Sequence, residues 1–182
     1  PHPVTACTEP VAEGMVVNTR GPRANRLRRT AAELLIASHQ VDCAHCYKNR
    51  HCELQRVAAY LKVKLKPERF RQRLRHLPRD ESNPFFIRDP NKCVLCGVWA
   101  CNEVQGAGAI DFAFRGLDTL IEPFYGEPII NSRCESCGEC LALCPVGAIV
   151  PKRFKWPRQE VKSVCPYCGA GCGIYLGADG GR

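Results

Sequence analysis

The stretch that most constrains this chain runs from Cys134 to Pro145. Its cysteines follow the spacing C-x2-C-x2-C-x3-C-P, at Cys134, Cys137, Cys140 and Cys144. In this spacing, three neighbouring thiolates bind one cubane iron–sulfur cluster, and the fourth thiolate binds a neighbouring cluster. Zinc also takes four thiolates, but usually from two separated CxxC pairs. The stretch therefore predicts an iron–sulfur site and requires a second cluster nearby.

Residues 93–101 supply an incomplete partner motif, Cys93-x2-Cys96-Gly-Val-Trp-Ala-Cys101. Compared with C-x2-C-x2-C-x3-C, two residues are missing after Gly97, and this pair would have contained the third cysteine. Residues omitted from the sequence would explain the gap best, because the flanking residues keep the pattern on both sides. Two alternatives remain. A true deletion would leave a [3Fe–4S] or externally ligated cluster, or Cys101 could join Cys93 and Cys96 as a C-x2-C-x4-C variant.

A third set of metal ligands follows a predicted helix, in the spacing His-x3-Cys-x2-Cys-x5-Cys. Its members are His39, Cys43, Cys46 and Cys52. One imidazole and three thiolates suit either a cluster or a structural zinc ion. We expect His39 to be the ligand, because it ends a helix one turn before the first cysteine. His45 and His51 lie in the intervening loop, and we expect neither to bind the metal.

Apolar periodicity predicts a helix on each side of this third set. The faces are Leu27, Ala31, Leu34 and Leu35 for the first helix, and Leu54, Val57, Ala58 and Leu61 for the second. Residues 62–82 are basic and predict a solvated linker or surface helix. Short strands are predicted at 16–17, 110–114, 117–121 and 161–164.

The last cysteines follow the spacing C-x2-C-x3-C, at Cys165, Cys168 and Cys172. Intervening glycines would let the backbone approach a cluster closely. Cys7 stands apart and, on its own, is an ordinary buried thiol. Together these segments account for all 14 cysteines.

Composition supports metal binding rather than nucleic-acid binding. The formal net charge of +8 counts every cysteine as neutral, whereas ligand cysteines are thiolates that would cancel much of it. Clustered CxxC pairs favour metal sites in a reducing, cytoplasmic compartment over disulfides. No apolar run is long enough to span a membrane.

These motifs, in this order, resemble the N-terminal electron-transfer region of NAD-linked formate dehydrogenase catalytic subunits. Those subunits are molybdenum- or tungsten-pterin enzymes related to the large iron–sulfur subunit of respiratory NADH dehydrogenase. The most specific segments of the resemblance are 6–15, 39–55, 93–97, 102–106, 134–148 and 165–176. It covers essentially the whole chain.

The resemblance implies a ligand assignment for every motif. Cys7 would be the last ligand of a plant-type [2Fe–2S] domain whose other ligands precede Pro1. The remaining sites would hold up to four [4Fe–4S] clusters. Their ligand sets are His39 with Cys43, Cys46 and Cys52; Cys93 and Cys96 with Cys144; Cys101 with Cys134, Cys137 and Cys140; and Cys165, Cys168 and Cys172. The last cluster would lie next to a Mo/W-bis-pterin in a domain downstream of Arg182.

The expected fold class is α+β, a string of small iron–sulfur domains. The resemblance implies the end of a [2Fe–2S] domain at 1–19, a His-ligated domain with its basic linker at 20–82, a double [4Fe–4S] ferredoxin domain at 83–157 and the start of a molybdopterin oxidoreductase domain at 158–182.

The implied function is an electron relay, with no catalytic residue of its own in this segment. Its partners would be a flavin- and NAD-binding iron–sulfur subunit and a catalytic pterin domain or subunit, with no nucleic acid and no membrane span. The alternatives are a relay subunit of NADH:quinone oxidoreductase or of a hydrogenase and, more remotely, a zinc-bound nucleic-acid module.

Overall fold

Three helices and three separate two-stranded antiparallel sheets form the part of the chain that the structure describes, residues 2–153, 157 and 159–178 of a computed structural model. The helices are α1 (Pro22–Ser38), α2 (Glu53–Leu61) and α3 (Glu139–Leu143). The strands are β1 (Phe86–Arg88), β2 (Asp111–Ala113), β3 (Leu120–Glu122), β4 (Ile149–Pro151), β5 (Gln159–Val164) and β6 (Gly173–Ala178). Strands pair as β1 with β4, β2 with β3 and β5 with β6.

Helix α1 buries only part of the predicted face: Leu35 of the predicted set packs against a buried core. Its buried residues are Ala32, Ile36 and Ala37, whereas Leu27 and Leu34 are 48% and 51% exposed. Ile36 packs with residues of α2, so the helix–helix contact decides the face. Ala32, Ile36 and His39 follow one another at intervals of four and three residues, so they lie on the same face of the helix.

The first hydrophobic core joins two regions that are far apart in the sequence. Helix α1 contributes Ile36, and α2 contributes Leu54 and Ala58, as predicted for that helix. Val146 and Ala148, which follow the 134–145 motif, pack into the same core. The helical ligand set and the later cysteine motifs therefore share one core.

The second hydrophobic core packs against cysteines of the later motifs. Its buried members are Phe86, Ile110 and Ile129, and three cysteines pack against it. The predicted strand at 110–114 is confirmed as β2. The predicted strand at 117–121 is confirmed only in part, because Gly116–Asp118 forms a 3₁₀ turn and the chain becomes extended at β3 (Leu120–Glu122).

Residues 62–82 form a strap, which is an irregular linker with no buried residue, as one of the two expectations had it, and not a surface helix. The structure assigns this described segment no helix or strand, apart from one bridge between Asp80 and Arg88. Arg69 lies 3.2 Å from the Glu33 carboxylate on α1. The Arg75 guanidinium donates a 2.7 Å hydrogen bond to the Thr119 carbonyl near β3. The arginines thus tie the helical region to the β2–β3 sheet.

The two ends of the described chain differ in regularity. The predicted strand at 16–17 is wrong: Val16 and Val17 lie in irregular backbone, 95% and 70% exposed. They have no neighbouring strand to pair with in the described residues. The predicted strand at 161–164 is confirmed as the end of β5, which pairs over six residues with β6. Among the described residues, no helix is long and apolar enough to cross a membrane.

Candidate iron–sulfur sites

His39 is placed as a metal ligand should be. It caps the C-terminus of α1, and only 8% of its surface is exposed. Its Nδ1 atom is buried and has no hydrogen-bond partner. Leaving a buried polar atom unpaired costs about 1–3 kcal/mol, and a bound metal would remove that cost.

The electrostatic surroundings keep the His39 ring neutral. Burial lowers its pKa, and the nearby positive charge of Lys92 lowers it further. A hydrogen bond with the Lys92 backbone and the charge of Asp89 oppose this shift without reversing it. Imidazole binds metals in its neutral form, so this environment suits ligation.

The other two histidines of the region face solvent. The His45 side chain is 84% exposed and its Nδ1 lies 3.0 Å from Asp42 Oδ1. His51 is also exposed. Of the three histidines, the structure buries only His39 beside the cysteines.

The structure brings the three cysteines after His39 together around the start of α2. The backbone N–H of Cys46 donates to the Cys43 carbonyl in a tight turn, at 3.3 Å. Cys52 is the N-cap residue of α2 and is 8% exposed. Burial raises the pKa of the Cys52 thiol, and so does the proximity of Cys46 and Cys43. A bound cation would relieve this mutual repulsion between thiolates.

A second group contains four cysteines. Cys101, Cys134, Cys137 and Cys140 line one small cavity. Burial raises the pKa of the Cys140 thiol to about 12, with further contributions from the other three sulfurs. The grouping agrees with the assignment of Cys101 to the 134–140 motif. A bound cationic cluster core would offset this penalty on the Cys140 thiolate.

Two donors that the sequence analysis missed point at sulfurs of this group. The backbone N–H of Ala109 donates to Cys101 Sγ at 3.3 Å. The side chain of Asn83, fully buried, donates to Cys134 Sγ at 3.8 Å. Hydrogen bonds to cluster sulfurs tune the reduction potential. In the sequence, the only feature that marked either donor was the position of Asn83 before a proline.

The third group contains only three cysteines. Burial raises the pKa of the Cys93 thiol, and Cys96 and Cys144 raise it further. These three line a cavity of about 340 Å³. The expected omission of residues after Gly97 stays a prediction. Gly97 makes the turn with φ +116°, which favours glycine.

The two CxxC segments share an uncommon backbone conformation. Leu95 lies just before Cys96, and Ser136 lies just before Cys137. Both residues are left-handed, with φ of 54° and 56°. Non-glycine residues adopt this region at a cost of about 1–2 kcal/mol, so the surrounding ligand loops must impose it.

The His39 group lies directly against the three-cysteine group. The N–H of Gln40, next to His39, donates to the Asn91 carbonyl at 2.9 Å. The N–H of Glu53 donates to the Pro145 carbonyl at 2.9 Å. A Cβ atom added at Gly147 would lie 2.5 Å from Cys46 Sγ, so the absence of a side chain permits the contact.

The last three cysteines lie in the loop of the β5–β6 hairpin. The N–H of Cys165 donates to the Cys172 carbonyl at 2.8 Å, which closes the loop. Cys168 and Cys172 are exposed. Cys7 lies in an exposed turn near the N-terminus, contrary to a buried thiol. Across the described residues, no three His, Cys, Asp or Glu side chains converge closely enough to hold a single metal ion.

Three family models match parts of the chain. Residues 28–66 match the NADH-ubiquinone oxidoreductase-G iron-sulfur binding region. Residues 127–150 match a 4Fe-4S binding domain. Residues 158–182 match the molybdopterin oxidoreductase Fe4S4 domain. Together they support [4Fe–4S]-binding domains in a chain of mixed helices and strands.

Curated relatives match nearly the whole chain. A subunit of the NADH-quinone oxidoreductase of Rhizobium meliloti (strain 1021) is 37% identical, covering 97% of this chain and 21% of that protein. NADPH-Fe(3+) oxidoreductase subunit alpha of Geobacter sulfurreducens is 34% identical, covering 100% and 22%. NADP-reducing hydrogenase subunit HndD of Solidesulfovibrio fructosivorans is 35% identical, covering 85% and 26%.

The chain resembles the N-terminal iron–sulfur region of these oxidoreductase and hydrogenase subunits. It spans between 21% and 26% of their lengths. A solved structure of an NAD+-reducing [NiFe]-hydrogenase in the H2-reduced state superposes with a TM-score of 0.74 at 25% identity, covering 84% of this chain and 65% of that one. The resemblance to formate dehydrogenase in particular is not shown by these matches.

Proposed function

We propose that this segment is a multi-cluster iron–sulfur electron relay within an NADH- or NADPH-linked oxidoreductase or hydrogenase complex. The observation that carries the proposal is the close contact between two ligand groups, the His39 group and the Cys93–Cys96–Cys144 group. Backbone hydrogen bonds and the Gly147–Cys46 contact hold them together. Adjacent clusters are what stepwise transfer of single electrons requires.

In this proposal the chain's own residues bind, orient and tune the clusters. Bound clusters would supply one-electron redox chemistry. His39 contributes a neutral ligand where a thiolate would add negative charge, which should raise the potential at that site. Ala109 and Asn83 donate to sulfurs of the four-cysteine group. Such donors stabilise the reduced, more negative state.

The terminal reaction would belong to chain segments and partners beyond this one. The proposed partner at one end is a flavin- and NAD-binding iron–sulfur subunit; the names of the relatives support the link to NADH, NADPH or NADP. A Mo/W-pterin site at the other end is supported by the molybdopterin oxidoreductase match at 158–182. Formate dehydrogenase is the finer candidate from sequence motifs, and hydrogenase or NADH:quinone oxidoreductase fits equally well.

The same proposal assigns Cys7 to a [2Fe–2S] site and distributes the fifteen ligands over five sites. The expected segment boundaries, 1–19, 20–82, 83–157 and 158–182, belong to it too. The strap and the first core connect the regions on either side of the expected boundary at residue 82.

The test is to purify the chain anaerobically, measure iron and acid-labile sulfide, and titrate it reductively while recording EPR spectra. The relay predicts a brown protein with several one-electron centres of distinct potential. A colourless protein that contains zinc would instead support the nucleic-acid module and refute the relay. Reduction by NADH after adding the complex's flavin subunit, compared with the chain alone, tests the proposed partner.

A further inference from the structure

The three-cysteine group differs chemically from its neighbour. Four sulfurs line the cavity of Cys101, Cys134, Cys137 and Cys140. The adjoining cavity of about 340 Å³ has Cys93, Cys96 and Cys144 on its wall. Cys101 and Cys140 also border it, but both line the cavity of the four-cysteine group as well, and the Cys101 sulfur accepts a hydrogen bond from Ala109 there. A cubane has four iron corners and needs four ligands.

Trp99 occupies the place where the C-x2-C-x2-C spacing puts the third cysteine. It lines the cavity beside Cys96, and it is 62% exposed. An indole offers one N–H donor and no lone pair for a metal. At Trp99 the cavity wall therefore offers no metal ligand, and solvent can enter the cavity past the Trp99 side chain.

No other described residue on the cavity wall replaces the missing thiolate. Asp89 is its one carboxylate. The Asp89 Oδ1 atom accepts hydrogen bonds from the backbone and side chain of Asn91, at 3.1 and 3.0 Å. Its Oδ2 atom lies 3.9 Å from Lys92 Nζ. Ligation by Asp89 would break this buried arrangement.

We propose that Cys93, Cys96 and Cys144 hold a cluster with one corner that lacks a protein ligand and exchanges a thiophilic divalent cation, normally Fe²⁺. This inference rests on the proposed iron–sulfur function. Water from the cavity completes the coordination of the exchangeable iron. Oxidation converts [4Fe–4S]²⁺ to [3Fe–4S]⁺, releasing Fe²⁺ and passing one electron to the added oxidant. Reduction of [3Fe–4S]⁺ by one electron and binding of Fe²⁺ restores [4Fe–4S]²⁺.

The experiment uses the full, iron-reconstituted chain with ferricyanide as the oxidant. We expect the S = 1/2 EPR signal of [3Fe–4S]⁺ at about one spin per chain. Dithionite with Fe²⁺ should abolish the signal, and isotopically labelled Fe²⁺ should enter one site, visible by Mössbauer spectroscopy. Trp99→Cys supplies a thiolate at the pattern position and should suppress both the signal and the exchange. Trp99→Ser is the matched control and should retain both.

Three results would overturn the inference. The wild-type chain could resist ferricyanide and exclude labelled iron, which would mean that every corner has a protein ligand. The wild type could lack exchange while Cys101→Ser gains it with the other clusters intact, which would mean that Cys101 completes this group. Peptide mass mapping that finds two additional residues between Gly97 and Val98 would restore the missing cysteine. In all three cases a brown, EPR-active chain would leave the relay proposal standing. If Trp99→Cys fails to fold, labelled-iron exchange in the wild type decides alone.

Discussion

The backbone N–H of Glu53 donates a 2.9 Å hydrogen bond to the carbonyl of Pro145. Glu53 follows Cys52, and Pro145 follows Cys144. One hydrogen bond therefore connects the chain beside a ligand of the His39 group to the chain beside a ligand of the three-cysteine group. It also joins residues that are 92 positions apart in the sequence.

Glu53→Pro should remove this hydrogen bond together with the exposed ion pair between Glu53 and Arg56, which Glu53→Ala removes as well. Glu53 is the first residue of α2, where proline is well tolerated. Cys52 already has extended angles, φ −100° and ψ 121°, which suit a residue before proline. We expect a loss of about 0.5–1.5 kcal/mol of stability, measured by urea unfolding of the holo-chain. Glu53→Ala keeps the N–H and is the control, and equal losses in both variants would refute the role of the hydrogen bond.

Replacing His39 should affect one cluster selectively. His39→Ala should lower the iron content by about four atoms per chain, because a buried ligand is lost. His39→Cys should keep the cluster but lower its potential, since a thiolate adds negative charge. Iron analysis and an EPR-monitored redox titration measure both effects. His45→Ala is the control, and a similar iron loss in that variant would contradict the assignment of His39.

Gly147→Ala should displace Cys46. The added Cβ would lie 2.5 Å from Cys46 Sγ, well inside contact distance, so the sulfur must move. We expect loss of the same cluster that His39→Ala removes, seen as the same missing EPR feature. Gly169→Ala is a matched control, because Gly169 also lies next to a cysteine but has open space around its Cβ position. Unchanged clusters in Gly147→Ala would disprove the tight contact.

Asp80 should contribute stability that depends on pH. Burial alone would raise its pKa, but hydrogen bonds from Ser82 and the Ile129 N–H, with the charge of Arg88, lower the pKa below its usual value. A lowered pKa gives stability that is present above the usual carboxyl range and is lost as pH falls through the folded pKa. Asp80→Asn should therefore cost about 1–3 kcal/mol at neutral pH.

The measurement for Asp80 is the rate at which visible cluster absorbance bleaches, taken as a ratio of variant to wild type. The ratio should stay constant from neutral pH to about 5 and then shrink towards one as the carboxylate protonates. Glu81→Gln, at an exposed neighbouring carboxylate, should give a ratio near one at every pH. A ratio that grows on acidification would have the wrong sign for this mechanism.

The family resemblance and local periodicity predicted part of the candidate sites. The family resemblance, not the spacing, implied that Cys101 would group with Cys134 rather than with Cys93, and Cys101 lines one cavity with Cys134. A helix that delivers His39 was expected from the periodicity, and α1 ends at Ser38 with His39 as its C-cap residue. This second feature depends only on residues that are close in the sequence.

Features that depend on long-range packing were not predictable in the same way. The buried face of α1 was predicted only in part: Leu35 packs against the core as expected, but contact with α2, not leucine content, determines which residues are fully buried. Arg75 looked like part of a solvated basic run, yet it donates to carbonyls near β3. Gly147 carried no signal at all, since only the fold brings Cys46 against it.

The matching left-handed residues, Leu95 and Ser136, have a consequence for how the two motifs can be compared. Equal positions with equal backbone angles suggest two halves related by an approximate internal duplication. The effect of a substitution in one motif can then be compared with the same substitution in the other motif of the same molecule. Leu95→Gly and Ser136→Gly relieve the same kind of strain beside an incomplete and a complete ligand set. Ser136→Gly also removes the hydroxyl that accepts a 2.8 Å hydrogen bond from the buried Asn83, so the difference between their effects combines that loss with the effect of the missing cysteine.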